Sequence, residues 1–140
     1  MFGNNKHLCL EEIFAHLYFD YITDFAGATL YAGYERIGHS GYELMIEWNG
    51  KNKSVDYTLR TLRDDRTECE EKKSVSMDAF PSAGTVCRVS LRVDGNLITV
   101  KACDAEAVSF DAEERCGLPG IGRTNFIGEV IYRSATISAD

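Results

Sequence analysis

The alternation on either side of Asp94-Gly95 constrains this chain more than any other feature. Cys87, Val89, Leu91 and Val93 alternate with Arg88, Ser90 and Arg92, and beyond the dipeptide Ile98, Val100 and Ala102 alternate with Thr99 and Lys101. Successive side chains of a strand point to opposite faces, so the segment Val86 to Ala102 predicts an antiparallel hairpin with one apolar face, and Asp-Gly suits a type I′ turn. With those two residues central, Leu91 faces Ile98, Val89 faces Val100 and Cys87 faces Ala102. A slip of one residue sets Leu91 against Thr99, so the pattern rejects it. The same register puts Cys87 and Cys103 on opposite faces, where no disulfide between them is expected.

A second ribbon precedes it. Tyr42, Leu44, Ile46 and Trp48 alternate with Glu43, Met45 and Glu47, and Val55, Tyr57 and Leu59 alternate with Asp56, Thr58 and Arg60. Pairing Trp48 with Val55 keeps the apolar residues on one face and sets Glu43 opposite Arg60. A helix through Val55, Leu59, Leu62 and Cys69 also fits the spacing, but Thr58, Thr61 and Thr67 favour strand. Asp64 to Lys73 then reads as a charged loop. Val75 with Met77 and Ala79, and Val108 with Phe110, predict short edge strands, and Phe126 to Ile137 a long closing strand.

Near the start the period differs. Leu10, Ile13, Phe14, Leu17, Tyr18, Tyr21, Ile22 and Phe25 recur at three- and four-residue intervals, which predicts an amphipathic helix from Leu10 to Phe25 with Glu12, His16 and Asp20 on its polar side. One helix followed by runs of strands implies an α+β fold, the helix packed on a curved, mainly antiparallel sheet of five to seven strands. At 140 residues, with no linker, repeat or low-complexity tract, the whole of 1–140 is expected to form a single domain.

Fifteen Lys and Arg against twenty-two Asp and Glu leave a formal charge of -7, which argues against nucleic acid as a partner. The longest uncharged run, Phe25 to Tyr34, is too short to span a bilayer as a helix, and no signal peptide is recognisable after Met1. The five cysteines contain no Cys-x-x-Cys pair, so a zinc or redox site is not indicated, and the expectation is free thiols in the cytoplasm, with no metal and no cofactor.

Two candidate surfaces follow. Tyr31, Tyr34, Glu35, Arg36, His39 and Tyr42 crowd a glycine-bearing connection that would cover the mouth of a cavity between helix and sheet. Their rings offer contact area and their polar tips orient a ligand, and His39 is the candidate acid or base. The second surface is acidic: Glu12, His16, Phe19 and Asp20 on the helix, with Asp111, Glu113 and Glu114 further on, would meet a protein partner of basic surface. Gly117 to Thr124 resembles a phosphate loop only superficially, because no Lys-Ser or Lys-Thr follows, and it reads as a wide turn.

No nucleophile stands with a matching base, and no motif carries a family resemblance. The function expected is therefore a small acidic non-enzymatic binding module of the inhibitor, immunity or adaptor type, docking a protein partner. The alternative is a small-molecule binding protein or an isomerase- or hydrolase-like enzyme with an apolar pocket for a small ligand. A homodimer is compatible with either.

Overall fold

The computed structural model describes residues 10–21, 26–112, 117–124 and 129–139. Its described residues form ten strands and no helix: β1 (Leu10–Tyr21), β2 (Ala26–Glu35), β3 (Ser40–Asn49), β4 (Ser54–Arg63), β5 (Arg66–Ser76), β6 (Thr85–Asp94), β7 (Leu97–Ala102), β8 (Val108–Asp111), β9 (Leu118–Thr124) and β10 (Glu129–Ala139). They make two five-stranded antiparallel sheets. One has the order β10-β1-β6-β7-β8 and the other β5-β4-β3-β2-β9, called sheet A and sheet B below. The chain runs two meanders, β2 to β5 in sheet B and β6 to β8 in sheet A, and changes sheet between them. The α+β expectation is thus overturned, and with it the cavity between helix and sheet.

The correction turns on β1. As a strand it points Ile13, Ala15, Leu17 and Phe19 inward, all buried. Its outward row is Glu12, Phe14, His16 and Tyr18. Ile13 and Leu17 belong equally to a stripe of period 3.6, and two exceptions disguise the alternation: Glu11 is buried, while Phe14 is 46% exposed. What decides for strand is tertiary. The segment is flanked on both sides, by β6 in unbroken register from Leu10↔Asp94 to Phe19↔Thr85, and by β10, so both edges of its backbone are hydrogen-bonded in the ladder.

The β3–β4 hairpin has the register its pattern predicts, Trp48↔Val55 and Glu43↔Arg60. The β6–β7 hairpin does not. Its pairs are Val93↔Ile98, Leu91↔Val100 and Val89↔Ala102, so Gly95 and Asn96 are the central residues, with Gly95 at φ 63°. A two-residue change in the pairing sum leaves every side chain on its face, so alternation cannot distinguish the two registers and the turn geometry selects. Cys103 then lies beyond β7 at φ 54°, outside the ladder, and its N–H donates to Arg88 O at 2.8 Å. Freed from the face rule, it forms a disulfide with Cys87, the Cα atoms 5.0 Å apart, while Cys69 is an exposed free thiol. Cys9 and Cys116 lie outside the described residues.

Two segments expected to be irregular are strands. Asp64 and Asp65, at φ 51° and 65°, supply the paired positive dihedrals of a tight hairpin turn, and the supposed charged loop is β5. The supposed wide turn at Gly117 to Thr124 is largely β9. Of the minor elements, Val108 and Phe110 lie in β8, and Val75 lies in β5 while Met77 and Ala79 lie outside any strand. The closing strand is β10 and begins at Glu129, with Phe126 outside the described residues.

The core is the seam between the inner faces. Phe19 meets Trp48 edge-on, ring centroids 5.0 Å apart at 81°. Around them pack Leu17, Leu91, Val100 and Phe110 from sheet A and Leu30, Leu44, Ile46 and Tyr57 from sheet B, each at most 1% exposed. Removing several large apolar side chains from water on both sides makes this seam the principal stabilising feature of the sandwich.

Candidate functional site

With the inner faces consumed by the core, chemistry is left to the outer ones. On sheet B the strand register lines up one cross-sheet row, Gly120, Tyr31, Glu43, Arg60 and Glu70, contributed by β9, β2, β3, β4 and β5. The row is joined side chain to side chain. Tyr31 donates its hydroxyl to Glu43 Oε2 at 3.2 Å, Arg60 Nη1 lies 3.4 Å from Glu43 Oε1, and Arg60 Nε donates to Glu70 Oε2 at 3.0 Å. Lys72 Nζ stands 3.7 Å from the other oxygen of Glu70. At the opposite end Tyr34 lies against Tyr31, centroids 5.0 Å apart, and its hydroxyl is 3.0 Å from His39 Nδ1. The Arg60 and Glu43 side chains are only 35% and 19% exposed, so the arginine is held on a half-buried floor between two carboxylates.

A neighbouring row is organised around Asp56. It accepts from Ser54 and Ser74 hydroxyls at 2.8 Å each and from Asn49 Nδ2 at 3.2 Å.

The tyrosine end owes its shape to a bulge. The β2–β3 register shifts between Ala32 and Glu35, where Gly33 adopts φ 54°. The bulge brings Tyr34 beside Tyr31 although the two are three residues apart. Opposite the bulge, across the sandwich, Glu11 of β1 receives the Gly33 N–H on both carboxylate oxygens, at 2.9 and 3.1 Å. Glu11 is 1% exposed, and burial pushes its carboxyl pKa up, with the Gly33 N–H acting in the other direction. On β9, a Cβ at Gly122 would stand 2.5 Å from Tyr31 Cε2, so the absence of a side chain there leaves room for the Tyr31 ring.

The structure therefore brings Tyr31, Tyr34 and His39 together and separates the rest of the first candidate set. Tyr42 is 4% exposed and belongs to the core. Glu35 and Arg36 are exposed where β2 enters the turn to β3. No carboxylate bonds His39 among the described residues, and the cavity expected behind it required a helix where β1 is a strand. The second set fares less well. Glu12 and His16 share the outer face of sheet A, but Phe19 is fully buried against Trp48. Asp20 lies in β1, its side chain undescribed. Asp111 is exposed at the end of β8, on sheet A, and Glu113 and Glu114 lie outside the described residues. Sequence reasoning missed Glu70 and Lys72 as parts of the row, and Glu11 as the buried carboxylate behind its bulge. The Glu43–Arg60 pairing pointed to its centre without revealing how far the row extends.

No family model matches the sequence, and no curated protein matches it. Solved structures do. Sheep galectin-11 in complex with glycerol superposes with a TM-score of 0.60 at 12% identity, over 92% of this chain and 90% of that one. This chain folds as a galectin-like β-sandwich. Toad ovary galectin in complex with thio-digalactose gives 0.56 at 12% identity over 93% and 89% of the two chains, and a tetrameric galectin from the ball sponge Cinachyrella sp. gives 0.54 at 12% over 92% and 90%. At such identities the galectin likeness is one of fold.

Proposed function

We propose that the protein is a small non-enzymatic binding module whose ligand is a saccharide, held on the outer face of sheet B. The observation that carries this reading is Arg60, half-buried and fixed between Glu43 and Glu70 with the Tyr31 hydroxyl on the same carboxylate. Sugar hydroxyls both donate and accept. A row that alternates carboxylate acceptors with guanidinium donors can bond neighbouring hydroxyls at once, and its partners are already in place before the ligand arrives. The Tyr31 and Tyr34 rings supply apolar area for the C–H face of a pyranose. The chain's one tryptophan, Trp48, is fully buried, so any stacking falls to the tyrosines. The galectin fold supports the same ligand class, since the toad ovary protein is seen with thio-digalactose.

This replaces docking of a basic protein partner by the first strand, whose Phe19 is inaccessible, and it replaces the apolar pocket, which required a helix. Calorimetric titration with thio-digalactose tests it. Arg60→Ala and Tyr31→Ala are each expected to weaken binding about tenfold or more, because the row loses a charged donor or its ring. Unchanged affinity in both variants would overturn the assignment.

A further inference from the structure

The far side of the sandwich carries a different chemistry. On the outer face of sheet A, β1 and β6 set His16 opposite Arg88, and β6 and β7 set Ser90 opposite Lys101, one row along. Diagonal neighbours on one sheet face stand within reach of long side chains, so the guanidinium of Arg88 and the ammonium of Lys101 can converge. They border a concavity of about 570 Å³, whose walls also include His16, Ser90, Asp104 and the Cys87–Cys103 disulfide. The disulfide and the Cys103 N–H bond to Arg88 O tie the Cys103–Asp104 turn against β6, fixing one wall.

Two cations without an ion pair line this one concavity. On a chain of formal charge -7, Arg88 and Lys101 make no ion pair among the described residues, whereas Arg60, Arg63 and Lys72 of sheet B do, although Arg66 and Lys73 of β5 do not. Two exposed cations without a carboxylate partner, beside a hydroxyl donor, match a tetrahedral oxyanion. The arginine fork takes two oxygens, the lysine supplies a point charge, and Ser90 donates to a third. Asp104 on the rim selects further. Its carboxylate accepts hydroxyl donors, so an anion presented as an ester on a polyhydroxylated carrier gains a bond that inorganic sulfate cannot make.

We infer that the concavity between Arg88, Lys101 and Asp104 is a second ligand site, for a sulfate or phosphate monoester carried on a sugar. It is independent of the sheet B site, on the opposite outer face.

Titration of isotope-labelled full-length protein with glucose 6-sulfate, glucose 6-phosphate, glucose and inorganic sulfate tests it, read at the amide resonances of Arg88, Ser90 and Lys101. At least one ester is expected to shift these resonances saturably, and the tighter of the two assigns the ester. Glucose is expected to leave them unmoved, and inorganic sulfate to bind more weakly. Arg88→Ala and Lys101→Ala, both at exposed positions, are each expected to weaken the ester about tenfold, while Arg60→Ala on the other sheet leaves it unchanged. No saturable shift with either ester, inorganic sulfate binding as tightly as the esters, or loss of ester binding in Arg60→Ala would overturn the inference.

Discussion

The two outer faces differ in how their charges are disposed. On sheet B, Arg60 is bonded to Glu43 and Glu70, and Lys72 stands beside Glu70. On sheet A, Arg88 and Lys101 have no such partners among the described residues and flank a concavity instead. Paired charges neutralise one another, and what they offer a ligand is directional hydrogen bonds in a fixed geometry, which suits a neutral polyol. Unpaired cations offer net field, which suits an anion. One sandwich can therefore present two ligand chemistries from the same kind of strand, differing only in which residue stands across the ladder.

Damage to the shared core is expected to have the largest effect, because it reaches both faces at once. Trp48→Ala removes the ring that Phe19 meets edge-on, and is expected to lower stability by about 3–5 kcal/mol in urea unfolding, with binding lost on both faces. A variant that kept full stability would show that the seam does not support either face. Next in size is the disulfide. Cys87→Ser with Cys103→Ser opens a loop of sequence separation 16, for which a loss of about 3 kcal/mol is expected by denaturant titration. The sheet A site should suffer while thio-digalactose affinity per folded molecule holds. Equal damage to both sites would remove the distinction between them.

Gly122→Ala acts on sheet B alone. The new methyl would stand 2.5 Å from the Tyr31 ring, so the ring must move, and affinity for thio-digalactose should fall severalfold while ester binding at Arg88 is unchanged. Retained sugar affinity would mean that the position of Tyr31 is immaterial.

The smallest effect concerns Glu11. Its carboxyl pKa in the folded protein is raised above the unfolded value, so the folded state holds that proton more tightly. Its stabilisation is complete below the ordinary carboxylate pKa and declines as pH rises through the raised value. Glu11→Gln stays neutral and keeps an oxygen for the Gly33 N–H. Urea unfolding at about pH 4 and about pH 8 is expected to show the variant gaining on the parent at the higher pH. A difference that is flat in pH, or runs the other way, would show that burial does not govern Glu11.

How much of this was legible beforehand depended on whether local pattern and tertiary pairing agreed. In β3 and β4 they agree: strict alternation puts the apolar residues on one face, and pairing Trp48 with Val55 across the polar turn also joins Glu43 to Arg60, as observed. In β1 they conflict, because Glu11 is buried to hold a bulge in the other sheet and Phe14 and Tyr18 face outward, so the residues that would have revealed a period of two are the ones recruited for other work. The β6–β7 register failed for a different reason, since two pairings conserve every face and only the turn separates them. For the site, Tyr31, Tyr34 and His39 were recognisable as a cluster, but their juxtaposition with Glu70 and Lys72 passes through three ladders that no local window contains.

For the sugar-binding surface proposed along the row from Tyr31 to Glu70, the most direct measurement is a map of amide shifts during titration with thio-digalactose. Saturable shifts centred on Tyr31, Glu43, Arg60 and Glu70 are expected, with Arg88 and Lys101 unmoved. Shifts confined to sheet A, or none at all on a folded protein, would contradict the proposal.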